Sequence, residues 1–314
     1  GCSALEAADK ILFVPDALMY MLTGEAVCEY TILSTSQFLD PRTKRIDDEL
    51  IGVMGLKESM FGRYVNPGDK VGVLTEEVQR MTGLGAVPVV AVAGHDTGAA
   101  VASVPARNER FAYLSCGTWS LLGIEVEDAI ISDKSFDFNF TNEGGIEGTT
   151  RFLKNICGMW LFERCRQEWT DAPEDIGQLI RESMEAPAFK CFIFPDAPDF
   201  ANPSSMVEAI GTYCQRTGQP VPNGYKEMTR CIFESLAMRY RQVLGYLKEM
   251  APFAIEKLHV IGGGSRNAYL MQFTSNSIGM PVVAGPVEGT AIGNIMLQAK
   301  AAGVVEDRFA MRKM

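Results

Sequence analysis

The sequence predicts an α/β protein in which helices cover a mixed sheet, and three observations lead there. Towards the C-terminal end, a strand over residues 258–261, a helix to about residue 278, a strand over 282–284 and a helix over 289–301 alternate, as they do where helices pack on a sheet. Upstream, two apolar strands over 111–115 and 119–126 flank Cys116-Gly117-Thr118 and read as a hairpin. A chain of 314 residues, 47% hydrophobic and 22% charged, has the apolar material for a sizeable core. It also exceeds the usual single-core size, so two domains, or one and part of a second, are expected.

The elements follow in order. Apolar residues recur at helical spacing over 5–22, and Thr23-Gly24-Glu25 stops the pattern as a C-terminal glycine does. Shorter helices are predicted over 47–53 and 75–82, with turns such as Asn66-Pro67-Gly68-Asp69 between them, so this segment reads as helical and loop-rich. The β-branched run over 87–93 predicts a buried strand, and the small residues after Gly98 a closely packed helix. The hairpin opens a second domain, which divides the chain into residues 1–105 and 106–314. Within the latter, long amphipathic helices are predicted over 152–169 and 226–250.

The net charge of −10 argues against a nucleic-acid partner, because binding a phosphate backbone needs a basic face. A small phosphorylated ligand is compatible with it, since glycine turns and helix N-termini hold phosphates through backbone amides. The eight cysteines are scattered with no C-x-x-C pair and no clustered histidines, which speaks against a zinc site and fits a reducing cytoplasm. No apolar run of membrane-spanning length and no leader pattern is present, so neither membrane binding nor secretion is expected; the chain begins at Gly1.

Three segments carry candidate chemistry. In Gly94-His95-Asp96-Thr97-Gly98, at a strand exit, Asp96 can take a hydroxyl proton while His95 and Thr97 hydrogen-bond neighbouring hydroxyls. The same residues also read as a plain helix cap. In Ser115-Cys116-Gly117-Thr118 a glycine beside hydroxyl residues can wrap donors around a phosphate, or simply turn a hairpin; Cys116 has no histidine near it in sequence and reads as structural. In Gly262-Gly263-Gly264-Ser265, between a strand and a helix, three glycines let a ligand approach the backbone and the helix N-terminus. That loop lacks the third glycine of a dinucleotide fingerprint and the lysine of a P-loop. A fourth feature, Asn142-Glu143-Gly144-Gly145 leading into the helix predicted from about residue 152, places Asn155 and Glu163 eight residues apart and so near one helical face, which by itself reads as a solvated stripe.

The order of these motifs resembles the actin and hexokinase superfamily, a two-domain ATPase fold also called ribonuclease H-like, and within it the FGGY carbohydrate kinases. The resemblance covers nearly the whole chain, from Phe13-Val14-Pro15-Asp16 and Ser34-Thr35-Ser36 through Gly94-His95-Asp96-Thr97. Asn142-Glu143-Gly144-Gly145, Phe152-Leu153-Lys154-Asn155-Ile156, Gly158-Met159-Trp160-Leu161 and Asn202-Pro203 are similar to the rhamnulokinase group.

The resemblance implies ATP and Mg²⁺ as cofactors and phosphoryl transfer to O1 of a ketose, L-rhamnulose. It implies that His95, Asp96 and Thr97 contact the sugar, with Asp96 as general base, and that Thr118, Asn155, Glu163, Gly263 and Gly264 contact ATP, with no protein metal ligand among them. Rhamnulokinases often carry Gln where this chain has Glu163. Another ketose, such as fuculose or xylulose, is the neighbouring alternative, and a non-enzymatic sugar- or nucleotide-binding remnant the remoter one. The resemblance further implies that residues 1–105 are the later part of a sugar-binding domain and 106–314 an ATP-binding domain. The family's first phosphate loop, on an early hairpin, is not found, so the chain as written is expected to be catalytically incomplete.

Overall fold

The computed structural model describes Leu5 and residues 7–314, and the chain divides into two compact units. One comprises Gly1–Glu109, Glu125–Leu153 and Glu288–Met314; the other comprises Arg110–Ile124 and Lys154–Val287.

The first unit contains a helix, Val14–Thr23, closed by Gly24 in the left-handed region at φ 76°. The glycine stop is as expected; the start is not. Leu5 and Ala7 are helical, but Ile11 bridges Phe61 and Phe13 is extended, so the expected stretch is interrupted before the helix at Val14. Short strands follow: β1 (Val27–Glu29), β2 (Leu39–Asp40), β3 (Arg45–Ile46), β4 (Arg63–Val65), β5 (Lys70–Val73) and β6 (Pro88–Val90). They form three two-stranded pairs, β1 parallel to β4, β2 antiparallel to β3 and β5 antiparallel to β6. The helical, loop-rich expectation is therefore corrected, because strands this short leave too little alternation to read. Helices at Asp48–Val53 and Glu76–Thr82 match the sequence, each capped by the side chain before it, Asp47 and Thr75. The strand expected over 87–93 is only three residues long. Val87 is exposed and Ala91 and Ala93 are buried beyond the strand end.

Helix Asp96–Ala102 is buried from Thr97 onward and packs on helix Gly289–Ala301. The contact is made by absence of bulk: a Cβ on Gly293 would lie 1.8 Å from the Ala99 carbonyl oxygen.

β7 (Phe111–Cys116) and β8 (Trp119–Val126) form the expected hairpin. With β9 (Thr141–Gly144), β10 (Thr150–Cys157), β11 (Lys257–Ile261) and β12 (Val282–Ala284), the strand order is β12-β11-β7-β8-β10-β9. β11 runs parallel to both neighbours and β7 antiparallel to β8, which makes the sheet mixed. Helix Gly224–Met250 buries Phe233, Leu236, Tyr240, Val243, Leu244 and Leu247, the 3.6-residue stripe its sequence shows.

The helix expected over 152–169 is a correction: residues 150–157 are β10 and only Trp160–Glu168 is helical. Pairing with β9, Phe152 opposite Asn142, overrides the local pattern. Gly158 makes the break, since a Cβ there would meet Ser120 Oγ and the Trp119 carbonyl carbon at 2.7 Å.

Candidate active site

Asp96 is the first residue of its helix and its side chain is 78% exposed. One carboxylate oxygen, Oδ1, accepts the Thr97 N–H at 2.6 Å and the Thr97 hydroxyl at 3.2 Å, which fixes the carboxylate at the helix N-terminus where its negative charge is favoured. His95, not Asp96, occupies the cap position, and it makes no side-chain capping bond. Asp96 is therefore an exposed, oriented acceptor with capacity left for a ligand.

The turn that presents it is held from below. Glu29, fully buried, accepts the Gly94 N–H at 2.9 Å and the Thr31 hydroxyl at 2.6 Å, and Thr31 Oγ1 in turn accepts the His95 N–H at 3.2 Å. Burial pushes the Glu29 carboxyl up, and these donors act against that. Beneath it, Asp16 accepts the Glu29 N–H at 3.1 Å and is itself pushed up to about 7, by burial first and by the neighbouring Glu29 charge as well.

On the other side of His95 lie Arg151 and Glu143. The Arg151 guanidinium is wholly buried; Nε donates to the Gly144 carbonyl at 2.8 Å and a terminal nitrogen lies 2.9 Å from His95 Nδ1. Glu143 Oε2 is 3.1 Å from Arg151 and 3.3 Å from His95 Nδ1. Burial would raise the Glu143 carboxyl, but contact with His95 and the charge of Arg151 outweigh it and hold it below its ordinary value.

The second unit carries the other candidates. Thr118 is exposed at the hairpin turn, where Gly117 N–H bonds the Trp119 carbonyl. Cys116, beneath the turn, is buried and its thiol is pushed up to about 11 by burial, which leaves it inert as the sequence suggested. The same residue meets the glycine loop. Gly262 takes φ 85°, and a Cβ on Gly264 would lie 2.2 Å from Cys116 Sγ, whereas one on Gly263 would meet nothing within 4 Å. Asn267 then caps helix Ala268–Ile278. Helix Trp160–Glu168 docks on the hairpin, with Trp160 N–H bonded to the Thr118 carbonyl at 3.1 Å. Glu163 on that helix is half-exposed and paired with Arg166 at 2.8 Å. The fold thus gathers Thr118, the glycine loop and the helix bearing Glu163 around one hairpin. Asn155 is separate from that helix, an exposed residue of β10.

Sequence reasoning missed Glu29, Thr31 and the position of Arg151. A lone acid between Cys28 and Tyr30 carries no periodic signal, and its partner Gly94 lies 65 residues away.

The fold is the actin/hexokinase-like one of solved sugar kinases. A ligand-bound xylulose kinase from Lactobacillus acidophilus superposes with a TM-score of 0.77 over 98% of this chain and 62% of its own, at 16% identity. A Plasmodium falciparum glycerol kinase with ADP superposes with a TM-score of 0.75 over 96% of this chain and 60% of its own, at 15% identity. In sequence, a rhamnulokinase from Bacteroides thetaiotaomicron is 59% identical over 99% of this chain and 64% of its own length. Rhamnulokinases from Pectobacterium atrosepticum and Bacillus subtilis are 44% and 40% identical, over 99% and 96% of this chain and 61% and 62% of theirs. The chain thus spans less than two thirds of the length of these curated relatives. The model of the FGGY family of carbohydrate kinases, C-terminal domain, matches residues 112–302, and that of the N-terminal domain matches residues 2–102. The chain belongs to the FGGY family of carbohydrate kinases.

Proposed function

We propose that the protein carrying this chain transfers the γ-phosphoryl group of ATP to the O1 hydroxyl of L-rhamnulose, giving rhamnulose 1-phosphate in rhamnose breakdown. The observation that carries this reading is the 59% identity, over 99% of the chain, with a rhamnulokinase. Asp96 takes the O1 proton as the hydroxyl attacks, and its exposed, Thr97-held carboxylate suits that task. His95 and Thr97 bind the sugar. Thr118, Gly263, Gly264 and Glu163 bind the nucleotide, supported by their gathering around one hairpin. Asn155 is assigned to the nucleotide on resemblance alone; calorimetry of Asn155→Ala with each ligand decides between nucleotide and sugar.

Mg²⁺ supplies charge neutralisation on the phosphates. Among the described residues no group of three or more His, Cys, Asp or Glu is placed to hold a metal ion. Residues 1–105 serve the sugar and 106–314 the nucleotide in this reading. The seven described cysteines are free and buried, which supports a reducing, cytoplasmic setting; Cys2 lies outside the described residues. No helix among the described residues is long and apolar enough to cross a membrane.

The test is sugar-dependent ADP release by the protein across L-rhamnulose, L-fuculose and D-xylulose. Preference for rhamnulose is the expected result, and preference for either other ketose moves the substrate assignment within the family. ATP and sugar binding with no turnover by the protein is the outcome that ends the kinase reading.

A further inference from the structure

The Arg151–His95 contact determines more than the position of the imidazole. A guanidinium has only N–H donors, so the nitrogen it meets at 2.9 Å, His95 Nδ1, has to accept. The alternative, an Nδ1–H aimed at Glu143 Oε2 at 3.3 Å, would set two N–H groups against each other. Glu143 Oε2 lies farther from Nδ1 than the Arg151 nitrogen does, 3.3 against 2.9 Å, and acts here chiefly as the countercharge that keeps the fully buried Arg151 in place. With Nδ1 bare, the proton of the neutral ring sits on Nε2, the nitrogen facing Asp96 Oδ1 at 3.7 Å. That gap is too long for a direct bond, and Oδ1 is already taken up by Thr97, so the Nε2–H and the other oxygen of the exposed Asp96 carboxylate are what remain available to a ligand hydroxyl.

We infer that Arg151 and Glu143 are positioning residues that fix His95 as the Nε2–H tautomer, so that a substrate hydroxyl meets one donor and one acceptor. A hydroxyl between them accepts from His95 and gives its own hydrogen to Asp96, which aims the proton at the base and keeps the imidazole from competing for it. The inference rests on the sugar-kinase reading only for what fills that space; the tautomer itself does not.

The test is heteronuclear NMR on the chain labelled with ¹⁵N-histidine. There are only two histidines, His95 and His259, and His95→Gln assigns the pair. The expected spectrum shows the His95 Nε2 protonated and Nδ1 bare. A protonated Nδ1, alone or with Nε2, overturns the inference without any variant being needed. Arg151→Met should then release the constraint and give a tautomer mixture. Arg151→Lys, the milder change, should raise KM for the ketose about tenfold while kcat changes less, the size of one hydrogen bond; equal loss in both at an unchanged His95 tautomer would make Arg151 merely structural. If no ketose is phosphorylated but the tautomer is as stated, the functional reading fails and the positioning stands; phosphorylation with Nδ1 protonated fails the inference alone.

Discussion

Glu29 Oε2 accepts the Gly94 N–H at 2.9 Å across 65 positions of sequence, so a buried carboxylate from the first short strand fixes the turn that presents His95 and Asp96. Every group that Glu29 meets is a donor: the N–H groups of Thr31, Ile32 and Gly94 and the Thr31 hydroxyl. Glu29→Gln puts an NH₂ among them. It should destabilise the protein by about 1–3 kcal/mol, read from urea denaturation, and an unchanged midpoint would mean the turn is held elsewhere.

Asp16 gives this region a pH dependence. Its folded value of about 7 lies above the ordinary 3.8, so between these the folded state keeps a proton that the unfolded chain releases. The stability this group contributes is complete at low pH and is lost as pH rises towards about 7. Subtracting the stability of Asp16→Asn from that of wild type should give a difference that falls over this window and is flat above it. A flat difference throughout would show that Asp16 is ionised in the fold.

Asp96→Asn keeps size and the contact with Thr97 but removes the proposed base. Turnover in the complete enzyme should fall by roughly 10² or more with little change in ATP affinity. Near-wild-type turnover would reject the role.

The glycine loop separates fold from ligand. Gly264→Ala collides with Cys116 Sγ and should lower the melting temperature, whereas Gly263→Val has open space and should leave melting unchanged while weakening ATP binding. Calorimetry with ATP on Gly263→Val decides the matter, and full affinity would remove Gly263 from the nucleotide site.

Glu163 brings a negative charge that Arg166 balances. Arg166→Ala should weaken ATP binding by uncovering that charge, and adding Glu163→Gln should restore it. Each step is expected to be a few-fold, as for a half-exposed pair, and no effect of Arg166→Ala would place Glu163 away from the phosphates.

Much of this was legible because the signals were local. The hairpin around Gly117, the Gly262–Gly264 loop and the helix from Gly289 to Ala301 each announce themselves by β-branched runs or glycine within a few residues. β10 was misread because its apolar residues fit a helix as well as a strand, and only its partner β9 decides between them. That error had put Asn155 on the helix with Glu163. The support of the turn bearing His95 and Asp96 was invisible for a related reason: Glu29 and Arg151 are single buried charges, and Arg151 finds His95 only across 56 residues.

Gly293 lets the helix Gly289–Ala301 lie directly against the backbone of Ala99, and Thr290 Oγ1 donates to the Asp96 carbonyl at 3.3 Å. Two backbones in such contact have no cushion of side chains to absorb a displacement. The helix carrying the proposed base therefore rests, backbone on backbone, on one nearly two hundred residues later, and a shift of the later helix is expected to be felt at the first turn of the earlier one. A probe attached at the exposed Ile295, on that later helix, would report on the acidic turn without touching it.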